Sequence, residues 1–331
     1  MTAFIGRREL VTLLGGAAAW PLAVRAQQGE RMRRIGVLNP FAENDPEVQA
    51  NITAFRQALQ KLGWTERNLR IDYRWGGANP ERIRAHATEL VALEPDVLLV
   101  SSPLALQPLQ QQTRSIPIVF TGVSDPAGSG FVASLAHPGG NITGFAVAEF
   151  SMYGKYLELL KEVAPHVIRV AVMMNPEQVP QAGNWRAIET VAPSFKVQLT
   201  AANVRDVAEI ERAIDAFARE SSGGLIVLPS ALTIVHRGLI IGLAARHRLP
   251  AVYAFRQFVM DGGLMSYGVD LVDQYRQAAS YVDRILRGEK PSDLPVQQPT
   301  QFRLIINLKT AKGLGLDVPW ILQQRADEVI E

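Results

Sequence analysis

No cysteine occurs anywhere in the 331 residues. Disulfides are thereby excluded, the residue that carries a bacterial lipid anchor is missing, and a structural zinc site would lack its usual thiolates. An excess of charge of one sign is missing too. The 34 basic and 32 acidic side chains nearly cancel, which leaves no electrostatic footprint for nucleic acid or an anionic membrane. His86, His137, His166, His236 and His247 are dispersed and form no H-E-x-x-H pair. "NPFAEND" follows the first strand-like segment without a glycine, so a dinucleotide or P-loop phosphate has no cradle there. "GVSDP" is not a G-x-S-x-G nucleophile elbow, and no two carboxylates stand out as an acid and a base. These absences speak against an enzyme, a resident cofactor and a metal.

Long apolar runs are also lacking, with one exception at the start. Leu10 to Val24 is apolar, but at about fifteen residues it falls short of the roughly 20 a spanning helix needs. Gly15, Gly16 and Pro21 weaken it further as a helix. Arg7-Arg8 precedes it, and Val24-Arg25-Ala26 places small residues at the positions of a cleavage site. Charged start, apolar centre and small-residue end form an export signal over residues 1–26. The paired arginines point to the twin-arginine route, although Gly6 stands where Ser or Thr is usual and Leu10 where Phe is. Retention as an N-terminal anchor is the alternative. Cleavage near Ala26 removes three basic residues and one acidic, so 31 of each sign remain from 34 and 32. Roughly 305 residues are left, enough for two domains, in an exported, periplasmic, monomeric protein.

What is present is an alternation. "RIGVLNP" (34–40), "LRIDYRW" (69–75), "DVLLVSS" (96–102), "IPIVFTG" (116–122) and "NITGF" (141–145) read as strands. Between the first two, Asp45-Pro46 supplies an N-cap and a proline at the first helical position. Val48, Ile52, Phe55, Leu59 and Leu62 follow at helical spacing, with Gly63 as the stop. A second helix covers 80–93 and a third starts near 104. Strands alternating with helices predict parallel sheets covered on both faces. The pattern then restarts about 130 residues later. "RVAVMMNP" (169–176) corresponds to "RIGVLNP", "GGLIVLPS" (223–230) to "PDVLLVSS", and "LPAVYAF" (249–255) to "IPIVFTG". Asp206 and Glu209 resemble a capping pair. A long helix is expected over about 271–287, then a tail with one strand and two short helices. The fold class is α/β, two Rossmann-like units.

In open parallel sheets, ligands bind beyond the carboxyl ends of the strands. The groups there are Asn39, Ser101, Ser102, Thr121, Ser124 and Asp125 in the first unit. In the second they are Asn175, Ser230, Tyr253, Phe255 and Arg256. Ser101 and Ser102 either hold a ligand carboxylate or cap the following helix. Asp125 either pairs with a ligand ammonium or fills a turn before Pro126. Asn39 and Asn175 contact a ligand or shape their X-Pro turns. Tyr253 and Phe255 either stack on a ligand or belong to the core. Arg256 reads as a surface charge.

Longer blocks carry a resemblance. They are "RRELVTLLGGAAAWPLAVRAQQ", "IGVLNP", "IPIVFTGVSDPAGSGFVASLAHPGGNITGF", "LIIGLAARHRLPAVYAFRQFVMDGGLMSYGVDL" and "YVDRILRGEKPSDLPVQQPTQFRLIINLKTAKGLGLDVP". Over nearly its whole length the chain resembles bacterial ABC-transporter substrate-binding proteins of the tryptophan/tyrosine-binding type. The resemblance implies a type I periplasmic-binding-protein fold, two lobes joined by a hinge. It places 33–145 with 271–295 in lobe 1, and 146–270 with 296–331 in lobe 2. It implies capture of a small polar solute, amino-acid-like or an aromatic acid, for a membrane permease with its ATPase. Ser101, Ser102, Thr121 and Asp125, then Asn175 and Ser230, match the family's binding loops. In amino-acid-binding relatives, hydroxyls take the carboxylate and an acid takes the ammonium. An exported enzyme using Ser124 or Asp125, and a tethered ligand-sensing domain, are the competing readings.

Overall fold

In the computed structural model, the structure describes residues 32–148 and 150–331. The leader expected at residues 1–26 lies outside the described residues. Two sheets organise the rest. The first has the order β2-β1-β3-β4-β5, all parallel. Its strands are β1 (Arg33–Asn39), β2 (Leu69–Trp75), β3 (Val97–Ser101), β4 (Ile118–Val123) and β5 (Ile142–Ala146). The second has the order β12-β11-β10-β9-β8-β6-β7. Its strands are β6 (Arg169–Met174), β7 (Gln198–Asn203), β8 (Gly223–Val227), β9 (Ala251–Tyr253), β10 (Met265–Gly268), β11 (Arg303–Asn307) and β12 (Glu328–Ile330). Only the β10–β11 pair is antiparallel.

Central strands such as β3 and β8 are buried along their whole length, as uninterrupted apolar runs require when helices cover both faces. The helices of the first unit are α1 (Pro46–Lys61), α2 (Pro80–Ala92) and α3 (Ser102–Gln112). Asp45 caps α1, accepting from the Glu47 amide at 3.0 Å, and Asn79 caps α2, accepting from Arg82 at 2.8 Å. Each cap precedes a proline at the first helical position, where a missing N–H does no harm. The second unit contains α4 (Phe150–Val163), α5 (Val179–Val191), α6 (Val207–Phe217), α7 (Ala231–Val235), α8 (Arg237–Arg246) and α9 (Arg256–Met260). Asp206 caps α6 at 2.7 Å, and Glu209 reaches back to the Arg205 amide at 2.7 Å.

α10 (Leu271–Leu286) follows β10 but packs on α1, β3 and β4 of the first unit. The chain then returns to the second sheet as β11, followed by α11 (Leu308–Gly313), α12 (Trp320–Arg325) and β12. The backbone therefore passes between the sheets three times: after β5, after β10 and before β11. A bridge between Phe145 and Gln297 ties two of these passages. Gln274 of α10 ties further backbone beside them, accepting from Gly122 N at 3.3 Å and donating to Ala146 O at 2.7 Å. Three apolar clusters make the core: one in the second unit, and one on each face of the first sheet. At Gly268, where β10 leads into a crossing, an added Cβ would lie 1.9 Å from Ala254 O, so no side chain fits.

Candidate functional site

The carboxyl ends of β1, β3 and β4 face the loops after β6, β8 and β9 across a cavity of about 720 Å³, counting its open mouth. Seven of the ten expected ligand-binding residues line it: Asn39, Ser101, Ser102, Thr121, Ser124, Ser230 and Phe255. Ser101 and Thr121 stand opposite each other in the β3–β4 register.

These side chains differ in what they are free to do. The Ser230 hydroxyl accepts from Thr233 N at 3.1 Å and completes a capping box, so it holds α7 in place. Ser102 Oγ accepts from Leu104 N at 3.3 Å within the first turn of α3. Asn39 Oδ1 accepts from Phe41 N at 3.0 Å, while its amide donates to the Tyr275 hydroxyl at 3.4 Å. Ser101 Oγ and Thr121 Oγ1 are buried beside the Tyr275 hydroxyl, without a hydrogen bond of ordinary geometry to any protein group. Burial pushes the Tyr275 phenol up, and the neighbouring Ser101 and Thr121 hydroxyls pull it partly back.

Three expected residues are not brought to the cavity. Asn175 faces elsewhere, its Oδ1 accepting from Glu177 N at 3.0 Å; this is the same turn bond that Asn39 makes, without a place in the cavity lining. Tyr253, at the end of β9, is buried against Phe258 with ring centroids 4.6 Å apart, while Phe255, beyond the strand, reaches the cavity. Asp125 folds back on its own turn, its Oδ1 accepting from Gly128 N at 2.9 Å, and lines a neighbouring hollow with Ser124, Phe150 and Asn184.

The sequence reading missed Asn51 on α1, Gln181 and Asn184 on α5, and Tyr275 on α10, all of which line the cavity. Asn51 Oδ1, Gln181 Oε1 and Asn184 Oδ1 are buried with no protein partner. The large majority of buried polar atoms are paired; here five without an ordinary protein hydrogen bond line one cavity, where water or a solute can meet them. A signal was available. Asn51 falls inside the stripe Val48, Ile52, Phe55, and Gln181 and Asn184 share a stripe with Ile188. Amides on the inward face of a helix need a partner other than solvent.

Charge is arranged around the cavity mouth, not inside it. Arg237 at the start of α8 reaches Asp45 of the first unit at 2.9 Å and Asp261 of its own unit at 2.6 Å. Arg256 reaches Glu47 of the first unit at 3.2 Å and Glu328 of β12 at 3.2 Å. Arg256, read above as a free surface charge, is thus one half of a two-arginine latch across the cleft. Asp45 serves twice, one oxygen capping α1 and the other taking Arg237.

Among the described residues, no group of three His, Asp or Glu side chains is placed to hold a metal ion. No helix among them is long and apolar enough to cross a membrane.

Known proteins share this architecture. A family model described as "ABC transporter substrate binding protein" matches residues 35–330. A "Tyrosine-binding protein" of Clostridioides difficile (strain R20291) is 24% identical over 289 residues, covering 87% of this chain and 82% of that one. The crystal structure of an ABC domain in complex with L-Trp from Streptococcus pneumonia superimposes with a TM-score of 0.84 at 21% identity. It covers 90% of this chain and 100% of that one. A conserved domain protein from Vibrio cholerae gives a TM-score of 0.84 at 28% identity, with the same coverage.

Proposed function

Because this chain belongs to the ABC transporter substrate-binding protein family, whose members bind solutes and are not enzymes, we propose that it is the exported receptor of an importer. It captures a small organic solute in the cavity between its lobes and presents the closed form to a membrane permease in the periplasm. Residues 33–145 with 271–295 form one lobe, and 146–270 with 296–331 the other. The observation that carries this reading is the cavity itself. Five unpaired buried polar atoms from both units face it, three from the first (Asn51, Ser101, Thr121) and two from the second (Gln181, Asn184). A solute touching both sets does so only when the lobes are together. That difference in affinity shifts an open–closed population toward closure. Ser101 and Thr121 with Asn51 hold the polar end, and Phe41 and Phe255 supply aromatic walls.

A thermal-shift screen of residues 27–331 against amino acids, aromatic acids and amides, and purines tests it. A solute at about a hundred times its Kd stabilises by about 2.7 kcal/mol through mass action, which moves the melting temperature of about 305 residues by roughly 4 °C. Consumption of a solute without a stable complex would contradict the reading and revive the exported enzyme.

A further inference from the structure

We infer that the solute of this cavity carries no positively charged group, and that an amino-acid zwitterion is a poor fit to it. This rests on the proposed function and narrows the solute class. The cavity is lined by side chains of Asn, Gln, Ser, Thr and Tyr and by apolar residues, and no Asp, Glu, Lys, Arg or His is among them. A buried ammonium without a counter-charge costs several kcal/mol, so a zwitterion needs a carboxylate here.

The acidic groups around the cavity are engaged elsewhere. Asp45 and Glu47 face Arg237 and Arg256 in the latch. Asp270 caps α10 through the Asp273 amide and faces Arg303 at 3.3 Å. Asp125 bonds to its own turn and lines the adjoining hollow instead.

The polar groups that do face the cavity carry no formal charge: two hydroxyls, and the amide oxygens of Asn51, Gln181 and Asn184, which call for neutral donors. The N-terminal ends of α3 and α5 line it through Ser102, Pro103, Gln178 and Pro180, and helix N-termini repel cations. The buried, unpaired Ser101 and Thr121 hydroxyls beside α3 can each donate or accept. Gln181 has a fixed orientation: its amide nitrogen donates to Pro229 O at 2.9 Å, which leaves Oε1 as an acceptor. An aromatic ring between Phe41 and Phe255, bearing an amide or a phenol, meets all of these demands; a single carboxylate suits the hydroxyls and helix N-termini but leaves Gln181 Oε1 without a donor.

The test uses matched charge series on phenyl, hydroxyphenyl and indole rings: the propionamide, the propionate, the ethylamine and the corresponding L-amino acid. Binding to residues 27–331 is measured by calorimetry at pH 7. The propionamide or propionate of at least one ring binds tenfold or more tighter than its amine and amino acid, and Asp125→Asn changes that affinity less than twofold. An amine or amino acid as the tightest member of its series, or a tenfold loss in Asp125→Asn, overturns the inference while leaving the receptor intact. Failure of every series, together with a silent thermal-shift screen, overturns the receptor reading itself.

Discussion

Ser102 holds a left-handed backbone, φ 70°, and Asp125 another, φ 42°. Both are non-glycine residues just beyond strand ends of the first sheet. Conformations of this kind cost on the order of 1 kcal/mol or more and persist where the surroundings impose them. Between them, Gly122 also turns left-handed, and a Cβ there would stand 3.4 Å from Ser102 N. Ser102→Gly removes the backbone strain and gives up only the 3.3 Å bond from Leu104 N. The variant is expected to melt at the same temperature or up to about 3 °C higher and to bind the solute more weakly. A lowered melting temperature would show that Ser102 is not strained.

The strand-end hydroxyls were legible because parallel sheets place ligands at their carboxyl ends. For Asp125 both readings stayed open, because sequence cannot distinguish a carboxylate aimed outward from one bonded to its own turn three residues on, as the bond from Gly128 N shows. Asn51, Gln181 and Asn184 went unread for a different reason. They sit within the apolar stripes of helices, where periodicity marks the buried face without saying what a lone amide on it meets.

At the scale of elements, the latch couples α1 to α8 and α9. Arg237 and Asp45 are both largely shielded, with side chains 17% and 15% exposed. Arg237→Ala is expected to weaken solute binding about tenfold, equivalent to ~1.4 kcal/mol, without changing which solute is preferred. Calorimetry on the variant reads it, and Asp45→Asn provides the matching loss from the other lobe.

Glu47 behaves differently from a simple stabilising charge. Burial raises its carboxyl above the usual glutamate value; Arg256 opposes this, the Asp45 charge adds to it, and Arg237 lowers it slightly. To the extent that opening returns Glu47 to water, the closed form retains a proton that the open form has released. Its contribution to closure is fullest below the ordinary value of 4.5 and is lost as pH rises through the raised one. Solute affinity is expected to fall over that window in the wild type and to stay level in Glu47→Gln. A wild-type affinity that climbs there would reverse the assignment. None of the latch was legible beforehand, since Asp45 reads as a cap and Arg256 as a surface charge until two distant segments are folded together.

For the molecule as a whole, the twofold recurrence of strand and helix was plain in the sequence. Apolar runs between turn residues are a local property, and β1 and β6 even repeat the same Asn-Pro turn bond. The pairing of β11 antiparallel to β10 and the docking of α10 on the other unit are long-range choices. They depend on which apolar face remains uncovered, and no local pattern encodes that. Three passages of chain join the two sheets, and the proposed hinge lies in them. That is the premise of the function proposed above.

The most direct test is the distance across the cleft. With no native cysteine to interfere, Glu43→Cys and Met260→Cys place one spin label on each side of the mouth, at exposed positions. With the tightest solute from the charge series present, electron–electron distance measurement should give a single short distance. Without it, a longer and broader distribution should dominate. The same distribution with and without solute would contradict closure on a ligand, and with it the account of this protein as a receptor.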